Sequence, residues 1–101
     1  MGMSFSTKAV DAEREELFTV DGVSYTIAKT VPASAGLEYI RIAAEVNTDA
    51  GIVYAMRTAL GTDGFNALRA AQDVSGEDMR TVMNACTTLL LGSVIGPKGT
   101  P

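Results

Sequence analysis

The residues able to do chemistry in this chain are few, and they are not clustered. One cysteine, Cys86, occurs among 101 residues, and histidine is absent. This composition excludes intrachain disulfides, Cys/His zinc sites and any nucleophile activated by a histidine of this chain. Cys86 lies in an apolar stretch with no basic neighbour in sequence. That setting is typical of a buried, unreactive thiol.

Two short patterns invite a functional interpretation, and each has a structural alternative. The adjacent acids Glu77 and Asp78 resemble an acid/base pair, but neighbours on a helix point in different directions, and both acids are favourable at a helix N-terminus. The run 61–64, Gly-Thr-Asp-Gly, is similar to a phosphate loop without its lysine and its preceding strand, and a turn between helices explains it better. We therefore predict no catalytic, cofactor-binding or metal-binding residues, and no enzyme.

Composition narrows the function further. Eight basic and twelve acidic residues give a net charge of −4, and the basic residues are spread along the chain. Nucleic-acid binding needs a basic patch, so nucleic acid is excluded as the main partner. The sequence contains neither an apolar span of membrane length nor a secretory leader. We expect a soluble cytoplasmic protein with one domain and a modest core.

A β-hairpin is the first element that the pattern predicts. Apolar and polar residues alternate over 18–27 about the pair Asp21-Gly22, which suits a two-residue type I′ turn. This register places Phe18 opposite Tyr25 and gives the hairpin one apolar face. A lone hairpin is marginal in water, so helices must cover that face or a partner strand must add to an edge.

From Ser34 onward the apolar period changes to that of helices. Leu37 and Ile40 head the stripe of a first helix, and a second runs from an N-cap at Asp49 to a stop at Gly61. A third, short helix begins at Thr62, and a fourth begins at Ser75 and carries an apolar stripe to Gly92. The stripe of the fourth helix comprises Met79, Val82, Met83, Cys86, Leu89 and Leu90. The expected fold is α+β, predominantly α, with an N-terminal hairpin followed by about four helices packed on it.

The chain divides into three parts. Residues 1–16 form a charged, flexible N-terminal arm, residues 17–95 form the single α+β domain, and residues 96–101 form a disordered tail with two prolines and two glycines. Within the domain, three methionines have two interpretations. Met56, Met79 and Met83 fill the core, or they line an adaptable groove for a partner.

A succession of segments carries a resemblance to a known family. The segments, as they stand in this sequence, are 18–27 (FTVDGVSYTI), 55–61 (AMRTALG), 64–68 (GFNAL), 73–79 (DVSGEDM) and 89–92 (LLLG). In order and spacing they resemble the tail assembly chaperones of long, non-contractile-tailed phages that infect actinobacteria. The similarity covers most of the chain after the charged arm.

The resemblance implies a late viral protein that binds the tape-measure protein in the host cytoplasm. It would keep this partner soluble, promote tail-tube assembly and be absent from the mature virion. Further partners would be the tail-tube protein and a longer form of the same chain, and exposed hairpin edges favour self-association. No nucleic acid or membrane is involved. The residues proposed to contact the partner are Phe18, Tyr25, Met79, Met83 and Leu90.

The family commonly makes its longer form by a programmed frameshift. Gly96, Pro97 and Lys98 permit a backward slip of one base for suitable codons, which makes them the predicted frameshift junction. Two alternatives belong to other classes: a small structural tail or head-tail connector protein, and an acidic regulatory adaptor.

Overall fold

The Asp-Gly pair folds the first described element, a β-hairpin. The structure is a computed structural model that describes residues 2–4, 6–7 and 13–95. Strand β1 (Arg14–Val20) pairs antiparallel with strand β2 (Val23–Ala28). The turn residues Asp21 and Gly22 have φ angles of 52° and 78°, and these two positive values are what a type I′ turn requires. The hairpin predicted from sequence is confirmed.

The register of the hairpin is also confirmed near the turn. Phe18 lies opposite Tyr25, and their rings stack with centroids 5.6 Å apart. The register then shifts between Glu16 and Phe18, so Leu17 is an extra residue in β1. A β-bulge of this kind bends the strand and increases its twist. The alternation of apolar and polar residues does not indicate this bulge.

Three helices follow the hairpin: α1 (Ala33–Glu45), α2 (Thr48–Ala70) and α3 (Gly76–Ile95). They pack against one another, and β2 packs on α2. The α+β class with mainly helical content is therefore confirmed, but the expected count of about four helices is wrong. The predicted second and third helices are the two halves of α2, which bends at Gly61 (φ 81°, ψ 166°) and resumes without a separate connection.

The helix starts show which capping signals were correct. Ser75 caps α3, because its Oγ accepts the backbone N–H of Asp78 at 3.0 Å, as the sequence predicted. The N-cap of α2 is Asn47, whose Oδ1 accepts the N–H of Ala50 at 2.7 Å. Asp49 instead lies in the first turn of α2, where its negative charge still favours the helix dipole.

The core lies between α2 and α3, with β2 and α1 closing its sides. Leu90 and Cys86 of α3 are fully buried, and Ala55 and Ala59 of α2 are equally inaccessible. The other buried members of the cluster are Ile27, Ala35, Met56, Leu60, Phe65, Leu68 and Val82. No helix in the described part of the chain is long and apolar enough to cross a membrane.

The inner face of α1 differs from the sequence prediction. Leu37 and Ile40 were expected to face inward, but Leu37 is 63% exposed and Ile40 is 37% exposed. Ala35 and Gly36 are buried in their place. A Cβ on Gly36 would lie within 3.0 Å of Ser93, of the backbone oxygen of Leu90 and of Val94. The close approach of α1 to α3 thus selects small residues and turns the larger ones outward.

The folded region begins earlier than the sequence predicted. β1 starts at Arg14, whereas the domain was expected to start at residue 17, so the last residues of the predicted arm belong to the hairpin. Arg14 is held there by hydrogen bonds to Thr26 and to α2. The predicted tail over residues 96–101 lies outside the described residues.

Two glycines of the helical region should respond to alanine in opposite directions. Gly36→Ala places a methyl group against the backbone of α3 and should lower the free energy of unfolding by about 1–3 kcal/mol. Gly92→Ala, in α3, has open space around its Cβ and should raise the free energy of unfolding by roughly 0.5–1 kcal/mol. Urea denaturation of both variants measures the difference, and equal effects at the two positions would contradict the packing described.

Candidate protein-binding groove

A groove lies between β1 and the junction of α2 with α3. Its cavity volume is about 800 Å³. The hairpin contributes one wall through residues 17–21, and the opposite wall comes from the end of α2, the connection 71–75 and the first turns of α3. Three separate elements therefore meet at one concave surface, and the Asp-Gly turn and the Ser75 cap fix two of them.

Apolar side chains of the main core form the floor of the groove, and Thr19, Gln72 and Thr81 add polar groups to its lining. Leu68 and Val82 are 3% and 8% exposed, and they belong to the main core. Phe18 and Leu17 of β1 are half-buried and pack on the same core, and Val74 does so from the other wall. A segment bound here would extend the hydrophobic core rather than lie on a separate patch.

The rim of the groove is acidic. Asp21 lies at the hairpin turn, and Asp73 and Asp78 lie on the opposite wall, all three exposed. None of the described residues that line the groove is a lysine or an arginine. The nearest basic residue of α2 in sequence, Arg69, lies over the ring of Phe65 at 5.9 Å instead. Apolar inner walls with a negatively charged rim suit an apolar segment that carries cationic side chains.

A second cavity of about 420 Å³ lies on the other side of the hairpin, beside the bend in α2. Arg14 lies in it, and its Nη2 donates to the backbone oxygens of Ala59 at 3.0 Å and Leu60 at 3.1 Å. The same guanidinium donates to Thr26 through Oγ1 at 2.7 Å and through the backbone oxygen at 3.0 Å. The Nε and Nη2 groups of Arg14 thus donate to oxygens of the protein itself. We call this set of hydrogen bonds, which connects the hairpin to α2, the joint.

The position of this joint explains the resemblance of residues 61–64 to a phosphate loop. The four residues lie inside α2, at its bend, and line the second cavity together with Arg14. A phosphate site needs free donors, whereas the Arg14 donors described here point to carbonyl oxygens. The interpretation as a turn between helical segments accounts for the glycine at the bend.

The five residues predicted to contact a partner lie in different environments. Phe18 is half-buried and lines the groove, while its stacking partner Tyr25 lines the second cavity. Met79 and Met83 are partly buried and pack against the core from α3. Leu90 has no exposed area and belongs to the core itself. Of the five, the structure brings Phe18 alone to the groove.

Several residues of the groove were not singled out from the sequence. Leu17 reaches it because of the β-bulge, which has no sequence signature in this strand. Asp73 and Val74 lie in the short connection before α3 and belong to one of the segments that carry the family resemblance. Their position just before the predicted N-cap Ser75 was the sequence signal that could have placed them at this surface. The predicted frameshift junction at Gly96, Pro97 and Lys98 lies outside the described residues.

Neither of the other chemical patterns forms a site. Cys86 is completely buried, and this burial raises the pKa of its thiol to about 11. Glu77 and Asp78 lie in the first turn of α3, where a helix favours acids. Within the described ranges, no three Cys, Asp or Glu side chains are placed to hold a metal ion.

Comparison with known proteins adds no relative to this geometry. No protein-family model matches the chain, and neither the curated proteins nor the solved structures give a match.

Replacing Arg14 tests the joint between the hairpin and α2. Arg14→Met keeps much of the apolar stem but removes the hydrogen bonds to the α2 carbonyls, and it should lower the free energy of unfolding by about 1–2 kcal/mol. Arg41→Met is the matched control, since the ion pairs of Arg41 among the described residues are those with Glu38 and Glu45 on the exposed face of α1. We expect no measurable change in the control. Similar losses for both variants in urea denaturation would refute a special role for Arg14.

The buried thiol gives a reactivity and a pH prediction. Dithionitrobenzoate at pH 8 should modify native Cys86 at least about tenfold more slowly than the unfolded chain, because the thiolate is the reacting form. Thr88→Cys in a Cys86→Ala background supplies an exposed thiol on the same helix and should react rapidly. The unfolded thiol ionises near pH 9.0 and the folded one near 11, so this contribution to stability is complete below 9.0 and decreases as the pH rises toward 11. Fast modification of the native chain would contradict this burial.

Proposed function

We propose that this protein is a phage tail assembly chaperone that binds the tape-measure protein in the host cytoplasm. It keeps that long helical partner soluble, promotes assembly of the tail tube around it, and leaves before the virion is complete. The observation that carries the proposal is the apolar groove with an acidic rim between β1 and the α2–α3 junction. The family resemblance of the sequence supplies the identity of the partner.

The form of the groove supports a chaperone rather than a permanent subunit. The groove is open to solvent and is continuous with the core through Leu68 and Val82, so it offers an aggregation-prone segment apolar contact without unfolding the domain. Its size suits one short segment rather than an extended obligate interface. A contact of this extent is compatible with reversible binding, which release before completion of the particle requires.

A second apolar surface supports the same function. Leu37 of α1 and Val94 and Ile95 of α3 are 63%, 44% and 67% exposed. Gly36 brings the start of α1 against the last turns of α3, so these side chains lie near one helix crossing. Exposed apolar residues close together favour contact with another protein, which in this proposal is the longer form of the chain or a further part of the tape-measure protein.

Co-expression with the tape-measure protein tests the function. The full chain should move a large share of the tape-measure protein from the pellet to the soluble fraction and should co-purify with it. Asp73→Lys, on the rim of the groove, should reduce that soluble share several-fold, because it replaces an attractive charge by a repulsive one. Glu45→Lys, the same kind of charge reversal at an exposed residue that lines neither cavity, is the matched control.

Purified particles supply the contradicting outcome. Mass spectrometry should find the tape-measure protein in them and this chain absent. A stoichiometric amount of the chain in the particles would instead identify it as a structural tail or connector protein. Failure of the wild-type chain to solubilise the tape-measure protein would remove the chaperone function altogether.

A further inference from the structure

The groove follows the edge of β1 rather than one of its faces. All five consecutive residues from Leu17 to Asp21 line it. Leu17 is the bulge residue and Asp21 belongs to the turn, so strict alternation applies to Phe18, Thr19 and Val20. The side chain of Thr19 lies on the face opposite to those of its two neighbours, and a cavity bordered by all three therefore follows the strand edge. Among the described residues the sheet has two strands, and none pairs with β1 on the side away from β2.

The hydrogen-bond pattern of the hairpin identifies what this edge presents. Val20 and Val23 flank the two-residue turn and face each other, which makes them a hydrogen-bonded pair. Bonded and non-bonded pairs alternate in an antiparallel ladder, so the next pair, Thr19 and Ser24, is not bonded across the hairpin. The N–H and C=O of Thr19 therefore point away from β2 and into the groove.

The opposite edge of the hairpin is occupied. The backbone oxygen of Thr26, in β2, accepts from Arg14, and the same guanidinium continues to the carbonyls of Ala59 and Leu60 in α2. β2 also packs on α2. Among the described residues, a helix covers one edge of the hairpin and the other edge borders the groove, which is the arrangement that strand addition uses.

The charge around the groove distinguishes two candidate partners for this edge, a second copy of the chain and a segment with basic residues. Asp21, Asp73 and Asp78 border the groove without a basic lining residue. An antiparallel pairing of two β1 strands about Phe18 would bring Glu15 of one copy near Asp21 of the other, and like charges opposite one another oppose pairing. A second copy of this acidic chain is therefore disfavoured, and a segment with basic residues is favoured.

We infer that the groove binds an extended segment of a partner protein that adds to β1 as a third strand. In this segment apolar residues alternate with lysine or arginine. The apolar side chains contact the half-buried Leu17, Phe18 and Val74, and the cations reach the three aspartates. The inference rests on the proposed function only for the identity of the partner, the tape-measure protein. The strand chemistry rests on the edge itself.

A synthetic decapeptide of alternating lysine and valine is the probe, with its binding to the full chain followed by fluorescence anisotropy. A glutamate/valine peptide of the same length should bind at least tenfold more weakly. Two further probes carry N-methyl groups on alternate backbone nitrogens, on the valines in one and on the lysines in the other. Alternate N–H groups of a strand point to opposite edges, so only one of the two sets of N–H groups faces β1. The probe methylated on that set should lose binding tenfold or more, and the other methylated probe should still bind.

Variants of the full chain test the protein side. Thr19→Pro removes the N–H that faces the groove and should weaken the lysine/valine probe at least tenfold. Ser24→Pro, the residue opposite, makes the same change on the other edge and should alter binding less than threefold. Asp73→Asn with Asp78→Asn keeps the shapes of the side chains and should weaken binding several-fold. If circular dichroism shows that Thr19→Pro does not fold, the charge variant tests the groove in its place.

The inference is overturned by equal losses for Thr19→Pro and Ser24→Pro, or by methylated probes that both bind or both fail. Equal binding of the glutamate/valine peptide would also overturn it. If these results occur while the wild-type chain still solubilises the tape-measure protein, the contact lies elsewhere on a genuine chaperone. If the peptide results hold and solubilisation fails, the strand site stands and its partner is a different protein.

Discussion

The bond between Arg14 and the bend of α2 determines how the rest of the structure is arranged. The break at Gly61 leaves carbonyls of the preceding turn without donors from the following turn. Arg14 supplies donors to two of them, those of Ala59 and Leu60, and its positive charge lies at the negative end of that helical segment. One side chain of β1 thereby fastens the hairpin to α2 and covers the edge of β2, and within the described residues no further strand pairs with the other edge of β1.

Close packing between helices is the second constraint. A Cβ on Gly51 of α2 would meet Ala43 and Tyr39 of α1 at 3.1–3.3 Å, and Gly36 of α1 lies against the last turns of α3. Contacts this close leave no room for a side chain at Gly36 or Gly51, and at the α1–α2 crossing Tyr39 fills the space beside the glycine. Leu37 and Ile40 consequently face outward although they fit an apolar helical stripe, and α1 presents apolar surface to solvent.

These two constraints show what could be predicted from the sequence. The hairpin and its register near the turn followed from Asp21-Gly22 and strict alternation, and the start of α3 followed from Ser75, because those signals are local. The continuous α2 was not predicted because a glycine either ends a helix or bends it, depending on which group bonds to the carbonyls that the glycine leaves free. Here the group that bonds to the carbonyl of Ala59 is the guanidinium of Arg14, 45 residues away in sequence. The inner face of α1 was missed for a similar reason. Periodicity identifies apolar residues, but the distance between two helices decides which of them fit.

The groove also depends on contacts between distant residues and not on local sequence signals. Its members come from β1, from the end of α2 and from α3, so no window of sequence contains it, and the bulge at Leu17 has no local signal. An open strand edge binds a partner mainly through its backbone, with side-chain pockets adding selectivity. Backbone recognition tolerates changes in the sequence of the bound segment, whereas a helix groove requires a fixed spacing of apolar side chains. In the proposed function, a chaperone that holds several segments of one long protein would gain from such tolerance, and the acidic rim would favour segments with basic residues.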